Sequence, residues 1–251
     1  MATSESSTST REEPVAITIR SARPADYPAF VGLFGELQVP DPVPSVEEFT
    51  TNLSPAMLVA EADDSVVGYI TWRHYATATA VANVVVKPAW RGRRIGELLL
   101  ERVREQARAA GSSGWYLNVK ADNASAIRLY ERCGFTIRHE SFALVMPWSA
   151  ALALPVEEGL QPRLLEPGDD GIVERTFGLD AGRVAALRAR QGTVLIAVDG
   201  AAGLVGFAAF SPGRPGVFPF RMLRPSVAGN LLRACHDRAD IVRFDFVRLT
   251  V

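Results

Sequence analysis

The chain has 251 residues, 48% hydrophobic and 22% charged, with a formal net charge of −1. That composition is globular, with length for one large domain or two small ones, and its near-neutral balance argues against a general nucleic-acid binder. Cys133 and Cys235 stand far apart, as do His74, His139 and His236, so neither a disulfide framework nor a metal site is expected.

Residues 1–13 are polar, rich in Ser and Thr, and lack an apolar signal region; they are expected to form a disordered tail. No apolar run reaches the roughly 20 residues of a membrane span, so the expected location is cytoplasmic, away from membranes. Residues 15–20 alternate as a strand. Arg23 to Asp26 opens a helix whose apolar stripe is Phe30, Leu33, Phe34 and Leu37. Pro40, Pro42 and Pro44 stiffen the next connection, and Ser45 with Glu48 caps a short helix. A hairpin is predicted at 57–62 and 66–72 and a strand at 79–86. A helix follows at 97–110, burying Leu98, Leu99, Val103 and Ala107 and ending at Gly111. A strand at 115–120, a helix at 124–132 and a last strand pair at 135–139 and 141–146 complete a mixed α/β order.

Residues 84–100, VVVKPAWRGRRIGELLL, carry the strongest local pattern. Pro88 ends the valine strand, Gly92 and Gly96 allow a sharp turn, and the free amides of the new helix point out of it. Such a helix start carries roughly half a positive charge. With Arg91, Arg93 and Arg94 beside it, it suits a phosphate or pyrophosphate, although neither GxGxxG nor GxxxxGK(S/T) is present. The loop resembles the pyrophosphate loop of the GNAT superfamily of acetyl-CoA-dependent N-acetyltransferases. There Gln or Arg is followed three positions later by Gly and, two further on, by Gly or Ala. Arg94 stands at the middle glycine, where a left-handed backbone would strain it by about 1–3 kcal/mol. The stretch LNVKADNASAIRLYERCGF at 117–135 resembles a second motif of that family, and the resemblance spans about residues 14–148.

The resemblance implies a GNAT fold, α/β (α+β), with a mixed central sheet flanked by helices, and acetyl-CoA as cosubstrate. The pantetheine arm is expected along the free edge of Val84, Val85 and Val86, with amides around Val85 and Val86 polarising the thioester. The diphosphate is expected on Arg91, Gly92, Arg93, Arg94, Ile95, Gly96 and Glu97. Tyr130 matches the tyrosine that protonates the leaving sulfur, or else is a core aromatic. Asn123 matches a cofactor contact, which helix capping explains nearly as well. Where some relatives carry a glutamate base, this chain has Asn118. Glu36, Glu61, His74 or the Tyr75 hydroxyl could replace it, or water could relay the proton, or the amine could arrive neutral. The acids Glu36, Asp41, Glu47 and Glu48, near the expected acceptor wall, either favour a cationic amine or form a solvated face.

Beyond a connection at 150–158, the order strand, two helices, hairpin, strand, helix, strand returns, with the last strand at 241–247. The predicted organisation is therefore a tail at 1–13, a catalytic GNAT domain at 14–149, a linker at 150–158 and a degenerate, truncated GNAT-like domain without a cofactor loop at 159–251. A small α/β appendage is the alternative. The function expected is acetyl transfer to a primary amine of a small molecule or peptide, with a non-catalytic acyl-CoA sensor or scaffold as the other reading. A homodimer is compatible with either.

Overall fold

The alternation read at 57–86 places successive side chains on opposite faces of a sheet, and each face has its own helices to bury it. Strands β1 (Thr18–Ser21), β2 (Met57–Ala62), β3 (Ser65–His74), β4 (Ala78–Val86) and β5 (Gly114–Leu117) lie in that order. Neighbours are antiparallel except β5, which runs parallel to β4. Met57, Val59, Tyr69 and Val85 pack with Phe30 and Leu33 of α1 (Tyr27–Phe34) and with Phe49, just past the short α2 (Val46–Glu48). Leu58, Ala60, Ile70 and Val81 pack on the other face against Ile95, Leu99, Leu100 and Val103 of α3 (Ile95–Ala109), with Leu129 and Tyr130 of α4 (Ala124–Arg132) beside them. Helix α3 is the crossover that a parallel β5 requires. The computed structural model describes residues 15–39 and 41–250, so the tail expected at 1–13 lies outside the described residues.

A second sheet holds β6 (Ala143–Pro147), β7 (Gln161–Leu164), β8 (Val194–Gly200), β9 (Gly203–Phe210), β10 (Gly216–Met222) and β11 (Phe246–Thr250), in the order β6-β11-β10-β9-β8-β7. From β7 to β11 the pairing is antiparallel three times and then parallel, the sequence seen from β1 to β5. Helices α5 (Trp148–Leu152) and α8 (Ala228–His236) cover one face, and α6 (Asp170–Phe177) and α7 (Arg183–Arg188) the other.

The likeness extends to side chains. Arg20 donates from Nε to Glu61 at 2.8 Å and from Nη1 to Asp26 at 2.8 Å, while Asp26 also accepts the Arg23 amide at 2.7 Å. Arg163 donates to Asp199 and Asp169 at 2.6 Å each, and Asp169 accepts the Glu166 amide at 3.2 Å. In both halves a proline, Pro24 or Pro167, opens the turn that carries the acid. The Arg20 guanidinium, opposed in part by burial, holds the Asp26 carboxyl below its usual range, and Arg163 does the same to Asp169. The sign follows: acids depressed in the fold stabilise it above the unfolded value of about 4, and that stability is lost as pH falls through the lower folded values. Asp26→Asn is expected to cost about 2 kcal/mol at neutral pH and to flatten the acid limb of a pH series of urea midpoints.

Three predicted elements differ. No strand forms at 135–139: the Phe135 amide caps α4 by donating to the Tyr130 carbonyl at 3.0 Å, and its ring lies 4.2 Å from Trp115. The strand predicted at 141–146 forms as β6 but joins the second sheet, antiparallel to β11, with Thr250 opposite Ala143. It carries Trp148 and Ala151 of α5 into the second core, so the connection expected at 150–158 starts as packed helix. The strand predicted at 241–247 begins only at Phe246, because Asp240 Oδ1 accepts the Arg243 amide and makes a turn there. Leu98, expected in the core, is exposed, and Leu100 takes its place. The halves meet where the Tyr116 hydroxyl donates to Asp180 at 2.9 Å and the Ala76 amide donates to Ala181 at 3.0 Å.

Candidate active site

Pro88 to Trp90 form a single 3-10 turn that stops β4, and the chain then swings through Gly92 at φ +79° and Arg94 at φ +61° into α3. Among the described residues, none of the amides from Gly92 to Glu97 donates to a backbone acceptor; the first bond of the helix is Leu98 to Arg94. Six consecutive amides at a helix start form a concave anion cradle. The side chains contribute less than their number suggests. Arg91 donates to the Val86 carbonyl at 3.0 Å and to Glu36 at 2.7 Å, Arg93 stacks 4.6 Å over Trp90, and Glu97 accepts from Arg132 at 2.8 Å. Ile95 is buried in the core. Gly96 lies inside the helix rather than in the turn, and its missing side chain leaves room for Leu129, whose Cδ2 would come within 2.9 Å of a Cβ.

The left-handed Arg94 gives a direct test. Arg94→Gly should raise stability by about 0.5 kcal/mol, the roughly 1–2 kcal/mol of left-handed strain less the ~0.5–1 of added backbone freedom. Arg94→Ala keeps the strain and loses the charge. Thermal melts and anion titrations of both variants separate the two contributions.

Beside the cradle the sheet opens. Strand β5 pairs only with residues 78–81 of β4, leaving 83–86 without a partner on that side among the described residues. The Lys87 amide bonds to Val67 of β3 at 2.8 Å, so by strand alternation Val85 turns its polar groups toward β3 while Val84 and Val86 turn theirs into the gap. The amides that face the gap are therefore those of Val84 and Val86, not of Val85.

Tyr130 is half-buried, edge-on to Phe135, and its hydroxyl makes no hydrogen bond among the described residues. Burial raises its pKa. Asn123 caps α4, its Oδ1 accepting the Ala126 amide at 3.1 Å. Three of the alternative bases are committed elsewhere. Glu36 pairs with Arg91 and Glu61 with Arg20. His74 accepts the Trp72 indole N–H at Nε2 (3.0 Å) and contacts Thr79 through Nδ1 at 2.7 Å, and burial lowers its pKa, so the ring is neutral with no free lone pair. Asn118 lines a cavity of about 270 Å³ that also holds His139, Glu140 and Arg221.

A second cavity, of about 280 Å³, lies between the halves: Phe30, Phe34 and Leu37 on one wall, Thr71, Arg73 and Asn83 of the sheet as floor, and Arg190 and Arg214 opposite. Asn83 adjoins Val84, so the floor reaches the gap in the sheet. The acids considered for a cationic acceptor are engaged instead: Glu48 with Arg214, Asp41 with Arg248, Glu36 with Arg91, and Glu47 with the Gln191 amide at 3.4 Å. Arg73 and Arg190 had no signal in the sequence, since only the meeting of the two halves brings them together.

Residues 21–135 match the model of the Acetyltransferase (GNAT) family. A ribosomal protein bS18 alanine N-acetyltransferase of Salmonella typhimurium is 31% identical over 100 residues, covering 38% of this chain and 68% of that protein. The chain belongs to the GNAT acetyltransferase family. This GNAT chain is also 34% identical over 86 residues to an L-methionine sulfoximine/L-methionine sulfone acetyltransferase of the same organism, which is 32% of this chain and half the length of that relative. Its fold is shared across both halves with a solved structure from Pyrococcus horikoshii, at a TM-score of 0.70 and 22% identity, over 96% of this chain and 82% of that one. A GCN5-related N-acetyltransferase of Sphaerobacter thermophilus matches with a TM-score of 0.60 and 19% identity, over 94% and 86% of the two chains. The family's acetyl donor is acetyl-CoA. Among the described residues no helix is long and apolar enough to cross a membrane.

Proposed function

We propose that this GNAT chain moves an acetyl group from acetyl-CoA directly to a primary amine, on a small molecule or a peptide, in the cytoplasm. The observation that carries the reading is the adjacency of six amides at residues 92–97, unpartnered among the described residues, to the edge of β4 that β5 leaves open. The amides suit a diphosphate, with Arg94 adding charge, and the edge suits the extended pantetheine arm. Asn123, whose Oδ1 caps α4, offers its amide nitrogen to the cofactor. The amine lone pair attacks the thioester carbonyl carbon, the new C–N bond forms and the C–S bond breaks. One of the gap-facing amides, that of Val84 or of Val86, stabilises the carbonyl oxygen as it gains charge. Tyr130 gives its proton to the departing thiolate and is reprotonated as the nitrogen sheds one to water.

With Glu36, Glu61 and His74 committed elsewhere, the amine enters already neutral. The second half, from β7 onward, is a degenerate copy of the first, as the repeated pairing and the Arg20/Arg163 clusters support. It lacks a cofactor loop and serves as a wall of the acceptor cavity. Calorimetric binding of acetyl-CoA, with thiol release over an amine panel, tests the proposal. No affinity for acetyl-CoA overturns it, and tight binding without turnover on any amine replaces it with a sensor.

A further inference from the structure

The cavity between the halves holds two guanidinium groups that no ion pair engages among the described residues. The side chain of Arg73, near the end of β3, forms no hydrogen bond or ion pair among the described residues. Arg190, just past α7, has its Nε buried and without an acceptor. Arg214 at the same cavity is already satisfied by Glu48, and Asp41 by Arg248. Burial lowers the pKa of both arginines, that of Arg190 to about 10; the positive field of Arg73 adds to the effect on Arg190, while the Glu48 carboxylate, held by Arg214, only partly offsets it at Arg73. The Tyr75 hydroxyl beside Arg190 offers an oxygen but no charge. Buried charges are ordinarily paired, and a planar guanidinium matches a carboxylate with two parallel donors. Phe30, Phe34 and Leu37 give the opposite wall an apolar surface. At about 280 Å³ the cavity has the size of a small-metabolite site rather than of one for a folded partner.

We propose that the acceptor of this enzyme is an amine that carries a carboxylate and an apolar body, its carboxylate held between Arg73 of the first half and Arg190 of the second. This rests on the acetyl-transfer reading for its chemistry, while the anion site is defined independently of it. The second half thereby supplies one jaw of the acceptor site.

The test uses the full chain with matched probes, namely apolar amino acids, their amides and their decarboxylated amines. Thiol release is expected to favour each amino acid over its two neutral counterparts by roughly 10–100-fold in kcat/KM. Arg73→Met and Arg190→Met should erase that preference through KM, while acetyl-CoA binding measured by calorimetry is unchanged; Arg190→Lys, which keeps a charge but not the fork, should retain part of it. If no probe is acetylated, calorimetry of the same pairs decides: amino acids binding the wild type more tightly than their amides, and losing that advantage in Arg190→Met, support the site. Neutral amines equal to amino acids, or a preference untouched in both Met variants, overturn the inference. Loss of acetyl-CoA affinity in the wild type would instead remove the transferase reading, leaving the carboxylate comparison to stand or fall by itself.

Discussion

Gly229→Ala is expected to destabilise the protein by about 3 kcal/mol or more. Gly229 sits in the first turn of α8, under the connection that leaves α5. A Cβ there would lie 2.1 Å from the Pro155 carbonyl oxygen, 2.9 Å from its carbon and 3.2 Å from the Leu154 oxygen, all main-chain atoms that no rotamer change can move. The connection cannot simply lift. Asn230 holds it from both sides, donating to the Glu157 carbonyl at 3.1 Å and accepting the Glu157 amide at 3.0 Å, while the Glu157 side chain takes the Ser226 hydroxyl at 2.6 Å and pairs with Arg224. Overpacking costs roughly 1–3 kcal/mol and stranding the buried Asn230 groups a similar amount. Gly96→Ala is the contrast. Its Cβ meets only the tip of Leu129, which can turn, so about 1 kcal/mol is expected. Urea denaturation of both variants checks the ranking. A Gly229→Ala midpoint close to wild type would mean that the connection rides clear of the helix.

What could be read from the sequence is what depends on neighbours along the chain. The valine run, Pro88 and the following glycine and arginines announce a strand, a stop and a helix start whose free amides need an anion, and the structure has that cradle. The element order of the second half was legible in the same way. Partner choice was not. The alternation at 141–146 signals a strand but not that its ladder lies on β11, because that depends on an edge some hundred residues downstream. Gly96 reads as a turn residue, yet its smallness answers to Leu129 on another helix. At the acceptor cavity the sequence offers four acids, and the fold commits three of them to arginines. The charges left over, Arg73 and Arg190, belong to segments 117 residues apart, by subtraction of their positions.

Tyr130→Phe is expected to lower kcat by about 10²–10³-fold, within the range of a lost general acid, with stability unchanged to about 0.5 kcal/mol. The second expectation follows from geometry: the hydroxyl has no hydrogen-bond partner among the described residues to lose, and the ring keeps its edge-on contact with Phe135. Burial, with a smaller contribution from Cys133, raises the pKa of Tyr130, so the phenol stays protonated throughout the neutral and mildly alkaline range. The wild-type rate should therefore show no alkaline fall from this group below about pH 10. Its acid limb should belong to the acceptor, since Glu36, Glu61 and His74 are engaged elsewhere. Activity should climb about tenfold per pH unit up to the pKa of the amine, levelling near 8 for a peptide α-amine and only above 10 for a lysine-like one. A limb that stays in place when the acceptor is changed would mean that the protein itself supplies a base, and Glu140, in the cavity that Asn118 lines, is where to look.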